Sequence, residues 1–155
     1  KAAGVQVKKF TFFDEFAKLF TAELKKRPDV VIHAAAVSDF RPRQKNKGKI
    51  SSDKPLTLVL VPTPKLISRV KRWTPQSLLV GFKLEATGCQ RRLKQAALRS
   101  IKENHFDLVV ANSLTKGYRG FIVNSQGTLV AQAATRRAMS LKLVTQLKHY
   151  FSQEK

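Results

Sequence analysis

Asp39 closes the run Val30-Val-Ile-His-Ala-Ala-Ala-Val-Ser-Asp39, and Lys49 follows it by ten positions; these two are the residues whose types and spacing best suit chemistry. A buried apolar run that shrinks to three alanines and ends on an acid reads as a strand that lets a ligand approach the backbone, then presents a carboxylate at its carboxyl end. The segment Arg41 to Lys49 is too polar and too rich in proline and glycine to pack, which predicts a mobile loop carrying lysines over whatever the carboxylate faces. Strand, acid and basic flap together suggest a ligand that bears phosphate. The bland alternative for Asp39 is a turn or cap residue, and Lys45 and Lys47 read as solvated loop lysines.

These residues need a scaffold, and hydrophobic periodicity supplies one. Phe13, Phe16, Phe20 and Leu24 fall at three- and four-residue spacings, so 11–26 reads as an amphipathic helix that Pro28 and Asp29 stop. The strand from Val30 follows. Leu56 to Val61 reads as a second strand, and Thr63-Pro64 as the N-cap and first position of a helix running to Trp73. Leu78 to Phe82 is a third strand, Gly88 to Asn104 contains a helix, and Leu108 to Ala111 is a fourth strand. Phe121 to Val123 and Thr128 to Val130, joined through Asn124-Ser-Gln-Gly127, read as a hairpin. Thr135 caps a last helix through Ala138, Leu141, Val144 and Leu147. The expected fold is α/β: an open, mainly parallel Rossmann-like sheet with helices on both faces and an antiparallel hairpin at one edge. In such sheets ligands sit beyond the carboxyl ends of the strands. That rule collects Asp39, Thr63 to Leu66, Phe82 to Glu85 and Asn112.

Composition narrows the function classes. A chain of 155 residues, 43% hydrophobic, suits one core and one domain, 1–155. It has no run of transmembrane length and no signal-like start, which predicts a cytoplasmic protein. Cys89 has no partner for an internal disulfide, and His33, His105 and His149 lack metal-ligand spacing. Thirty Lys and Arg against ten Asp and Glu give a net charge of +20, a long-range attraction for anions from a nucleotide to a polynucleotide. The cations are spread along the chain, in clusters such as Arg91-Arg92 and Arg136-Arg137. The latter pair opens a helix, where acids would suit the macrodipole better.

Five motifs in order, Ala-Ala-Val-Ser-Asp39-Phe, Lys49-Ile-Ser-Ser, Thr63-Pro-Lys-Leu-Ile-Ser-Arg-Val-Lys-Arg-Trp-Thr-Pro75, Val80-Gly-Phe-Lys-Leu-Glu85 and Asp107-Leu-Val-Val-Ala-Asn112, resemble the phosphopantothenoylcysteine synthetase (phosphopantothenate-cysteine ligase) family. Their wording is most like the free-standing form of the enzyme. The resemblance implies a ligase of coenzyme A biosynthesis that activates 4'-phosphopantothenate as an acyl-nucleotide with CTP or ATP and Mg2+, then joins it to cysteine. The protein's task in that chemistry is to orient groups and neutralise phosphate charge. Carried over, Asp39 meets the nucleotide or its magnesium, and Lys49 reaches the phosphates as the catalytic cation. Ala34 and Ala35 let the nucleotide lie against the strand. Thr63, Pro64, Lys65 and Leu66 hold base and ribose, Phe82 packs on the nucleotide or else belongs to the core, and Arg99 stands where relatives carry a nucleotide-binding lysine. Asn112, at the end of a buried strand, reads as a cap on backbone groups or a substrate contact, and the family implies a homodimer.

The family also begins with a strand and a glycine-rich loop, for which this sequence has no counterpart; its seven glycines are scattered. Three readings stand: a fragment, a site completed by another chain, or a catalytically silent relative that uses its charge to bind nucleic acid or a ribonucleoprotein.

Overall fold

The computed structural model describes residues 4–44, 48–53, 55–115 and 117–153; Lys45 and Lys47 lie outside the described residues. Helix α1 (Phe13–Leu24) begins where the Glu15 carboxylate accepts the N–H groups of Thr11 and Phe12, at 2.7 and 3.3 Å, satisfying donors that the first turn leaves open. Its aromatic stripe is half-buried and Leu24 is fully inside.

Strand β1 (Val30–His33) follows α1. Next come a short ribbon, β2 (Phe40–Pro42) with β3 (Leu60–Pro62), a 3-10 turn (Ile67–Arg69) and the one-turn helix α2 (Val70–Trp73). The rest is β4 (Leu78–Leu84), α3 (Gln90–Asn104), β5 (Leu108–Ser113), β6 (Arg119–Asn124), β7 (Leu129–Ala133) and α4 (Arg136–Gln153). Five strands form one sheet in the order β1-β4-β5-β6-β7. β1, β4 and β5 are parallel, and β6 and β7 add antiparallel at one edge. The fold is thus α/β, with a Rossmann-like parallel part and the expected edge hairpin. Alternation along each strand sends Val31, Leu79, Val109 and Val123 to a core with Leu93, Ala97 and Ile101 of α3, and Leu78, Val80, Val110 and Ile122 to a core with Met139 and Leu143 of α4. Helices therefore cover both faces, each buried Leu or Val contributing about 1.5–3 kcal/mol.

Three expectations about the segment between β1 and β4 need correction. The strand read through to Asp39 stops at His33, because Ala34 to Ala36 are exposed and have little apolar surface to bury. The strand expected over Leu56 to Val61 shrinks to Leu60–Pro62 and leaves the parallel sheet, pairing antiparallel with Phe40–Pro42. Arg41 and Pro42, read as loop, are thereby strand. Bonds from Thr63 N–H to the Asp39 carbonyl (2.9 Å) and from Arg43 N–H to the Val59 carbonyl (2.8 Å) flank this ribbon. Phe40/Pro62 and Pro42/Leu60 are consequently the non-hydrogen-bonded pairs, where a proline costs the ladder nothing and caps each outer edge. Finally, the helix expected from Thr63 begins only at Ile67, with Leu66 at its cap position. Arg41 and Asp14, 3.6 Å apart, tie the ribbon to α1.

At the amino ends of β4 and β5 a polar knot closes the sheet. The Lys71 ammonium donates to the Asp107 carboxylate at 2.6 Å and to the Ser77 carbonyl at 2.8 Å, and the same Asp107 oxygen accepts the Leu79 N–H at 2.6 Å. Gly81 of β4 lies under the ring of Phe106, where a Cβ would come within 2.5 Å of ring atoms. Thr135 caps α4 as its sequence predicts, its hydroxyl accepting the Ala138 N–H at 3.1 Å.

Candidate functional site

Beyond the carboxyl end of β1, the link to β2 and the turn after β3 enclose a cleft of about 210 Å³. Ala35, Asp39, Thr63, Pro64, Lys65 and Leu66 line it, with Phe16 of α1 and His33 behind them. Residues more than twenty positions apart meet there because the ribbon register carries Asp39 up against Thr63: besides the backbone bond, the Thr63 hydroxyl donates to the Ser38 carbonyl at 2.6 Å. The Ser38 hydroxyl in turn donates to the Phe40 carbonyl at 2.7 Å. The backbone around Asp39 is therefore held, while its carboxylate is exposed and has no ion-pair partner among the described residues. Lys65 is exposed as well.

His33 is half-buried and meets Phe20 edge-on at 6.1 Å between ring centres. Burial pulls its pKa below the ordinary histidine value, so the imidazole is neutral near pH 7. Sequence spacing gives it no metal-ligand partner and so points to no site. Its place directly before Ala34-Ala35 was the available signal.

Phe82 and Asn112 stand elsewhere. They line a second cleft of about 310 Å³ with Tyr118, Arg136, Met139 and Leu143. Phe82 shares the parity of Leu78 and Val80 and so faces α4, whereas His33 shares that of Val31 and faces α1 and α3. The two clefts open on opposite faces of the sheet. Arg136, whose charge the helix start does not favour, lies over the Tyr118 ring at 5.9 Å, which gives that residue a local role. Lys49, Ala34 and Arg99 are exposed and line neither cleft.

Chemically, the first cleft offers one free carboxylate, one nearby cation and an extended backbone segment. Among the described residues no three carboxylate, histidine or cysteine side chains gather as a metal cage. One carboxylate suits a magnesium ion whose other ligands come from phosphates and water, the usual arrangement for a nucleotide-borne Mg2+. No helix among the described residues is long and apolar enough to cross a membrane.

The chain is 49% identical over 102 residues to the coenzyme A biosynthesis bifunctional protein CoaBC of Thermococcus kodakarensis, a match covering 65% of this chain and 25% of that protein. The CoaBC of Methanocaldococcus jannaschii is 33% identical over 98 residues, 63% of this chain and 24% of the relative. The chain thus spans about a quarter of these curated relatives, and both carry the bifunctional name, whereas the motif wording suggested the free-standing form. Among solved structures, the DNA/pantothenate metabolism flavoprotein of Streptococcus pneumoniae superposes with a TM-score of 0.85 at 26% identity, over 97% of this chain and 75% of its own. The C-terminal domain of a CoaBC gives 0.70 at 19%, over 96% and 66%. A Cab2 mutant in complex with phosphopantothenate-cysteine gives 0.53 at 23%, over 79% and 45%, and like the CoaBC domain speaks for the fold alone. Residues 1–150 match a single family model, and the chain belongs to that family, the DNA/pantothenate metabolism flavoprotein C-terminal domain.

Proposed function

We propose that this chain is the nucleotide-binding part of a phosphopantothenate-cysteine ligase of coenzyme A biosynthesis. The observation that carries the reading is the shared cleft of Asp39 and Thr63 to Leu66, in a chain whose family relatives include proteins named for coenzyme A biosynthesis. The Cab2 mutant of the same fold was solved with phosphopantothenate-cysteine; this reading takes 4'-phosphopantothenate and cysteine as the substrate pair of this chain. In this reading CTP or ATP lies along Ala34, Ala35 and the Thr63-Pro64-Lys65-Leu66 segment. Asp39 holds Mg2+, which supplies charge neutralisation at the phosphates when bound. Lys49 reaches the phosphates from its loop. A carboxylate is a poor electrophile; exchanging its oxygen for a nucleotide leaving group makes attack by the cysteine amine accessible. Arg99 contributes to the nucleotide from α3 and Asn112 to the substrate; Phe82 lines the cleft on the other face of the sheet and so does not share the segment on which the nucleotide lies. The working protein is a cytoplasmic homodimer.

A thermal-shift titration with CTP and with ATP, each with Mg2+, tests the binding step. A ligand at a hundred times its dissociation constant stabilises by about 2.7 kcal/mol. No shift from either nucleotide at millimolar concentration would overturn the reading.

A second reading has one observation in its favour. Arg91, Arg92, Lys94, Arg99 and Lys102 are exposed along α3, and none has an ion-pair partner among the described residues. With a net charge of +20, such a face suits a polynucleotide backbone. That reading predicts retention on generic nucleic acid that falls steeply with salt and is indifferent to Asp39→Ala.

A further inference from the structure

Thr63 was expected to cap a helix and to touch nucleotide. The helix it was to cap begins at Ile67, so its hydroxyl has no capping role. That hydroxyl instead donates to the Ser38 carbonyl at 2.6 Å, while the Thr63 N–H donates to the Asp39 carbonyl at 2.9 Å. Together with the Ser38 hydroxyl on the Phe40 carbonyl, three successive carbonyls on either side of Asp39 each have a donor. A threonine hydroxyl has a single proton. Given to Ser38, it is not available to a ribose or phosphate oxygen. Asp39 lies just outside β2, on an exposed link; the Phe40 N–H on its far side also donates to the Ser38 hydroxyl at 3.4 Å, but on the Ser38–Asp39 peptide itself the Thr63 hydroxyl makes the one hydrogen bond among the described residues.

We propose that Thr63 is a positioning residue: its hydroxyl latches the Ser38–Asp39 peptide across the cleft and so sets the direction of the Asp39 carboxylate. Its effect on ligand passes through Asp39. This inference rests on the nucleotide-binding reading for its functional consequence, but the latch has a signature of its own.

The test uses Thr63→Val, which keeps the shape and removes the hydroxyl, and Thr63→Ser, which keeps the hydroxyl. Without ligand, Thr63→Val should speed amide hydrogen exchange in 36–41 several-fold, leave β5 and α3 unchanged, and Thr63→Ser should stay close to wild type. With CTP or ATP and Mg2+, Thr63→Val should weaken binding roughly tenfold, within what one hydrogen bond to a fixed group contributes. Thr63→Ser should restore it. In an Asp39→Asn background the Thr63→Val effect should disappear, since neighbours acting through one another are non-additive. Unchanged exchange in Thr63→Val overturns the latch whatever the protein binds. Faster exchange with unaltered affinity, or an affinity loss that persists in full beside Asp39→Asn, overturns the positioning role. A wild type that binds neither nucleotide overturns the functional half together with the ligase reading, and the exchange data then report the latch by itself.

Discussion

At the amino ends of β4 and β5, polar side chains are tied to one another; in the cleft beyond β1, the backbone is tied and the side chains are left over. The Lys71 ammonium and Asp107 carboxylate are three-quarters buried and bonded to each other and to the chain. Asp39 and Lys65 are exposed, yet the peptide next to Asp39 is held by Thr63. The difference separates two uses of charge. Burying an ion pair demands that every donor and acceptor be met, and the result is a fixed joint. A carboxylate that is to meet a ligand must remain unpaired in the free protein, so its direction has to come from the main chain.

The contrast is most exposed to disproof at the knot. Asp107→Ala leaves the Lys71 ammonium and the Leu79 N–H without their acceptor, and should cost about 2–3 kcal/mol in urea denaturation. Nucleotide-induced stabilisation should survive in the fraction that folds. A loss under 0.5 kcal/mol would mean that the knot is not a joint.

Gly81→Ala comes next, at about 1–3 kcal/mol, because the new methyl would lie within 2.5 Å of the Phe106 ring and must displace it. Pairing it with Phe106→Leu should recover part of that loss, which a thermal melt of the double variant reads directly. If the double variant is no better than Gly81→Ala alone, the contact is not what the glycine serves.

Which of these features a sequence reader could see depends on the reach of the interaction. The Thr135 cap and the hairpin turn at Gly127, with φ of +81, are settled within a few residues, and both were legible. The ribbon was not. Phe40 opposite Pro62 is a pairing across more than twenty residues, and nothing local in Leu56 to Val61 says that its partner is the flap and not the sheet. Thr63-Pro64 looked like a helix start because the local signal was right. A distant acceptor, the Ser38 carbonyl, took the hydroxyl instead. The meeting of Asp39 with Thr63 was legible from the rule that ligands sit beyond the carboxyl ends of strands, although β3, which carries Thr63 there, pairs with β2 and not in the parallel sheet. The place of Phe82 on the opposite face was readable from the sequence by counting alternate residues from Leu78 through Val80.

A smaller effect follows from His33, which lies between the two regimes: buried enough to be perturbed, close enough to the cleft to matter. Burial lowers its pKa in the folded protein, so as pH falls below the ordinary value of 6.5 the unfolded chain takes up the proton first. Stability is therefore full above that pH and declines as pH falls through it toward the folded value. Glu15 and Glu23, whose pKa values are lowered by Thr11 and Phe12 N–H groups and by Lys26 and Lys8, act in a separate window below 4.5. Denaturation midpoints at pH 7.5 and 5.5 should differ less in His33→Gln than in wild type. Equal differences would show that other groups govern this range.

The smallest expected change in stability belongs to Asp39→Ala, and its smallness is the informative part. An exposed carboxylate without an ion pair contributes within about 0.5 kcal/mol to folding, and the Thr63 bonds to the main chain remain whatever side chain follows Ser38. Nucleotide with Mg2+ should nevertheless cease to raise the melting temperature. A loss above 1 kcal/mol would put Asp39 among the turn-forming aspartates and erase its difference from Asp107. An unaltered melt combined with a full nucleotide response would leave the carboxylate idle and move the triphosphate to the cleft of Phe82 and Arg136, on the other side of the sheet.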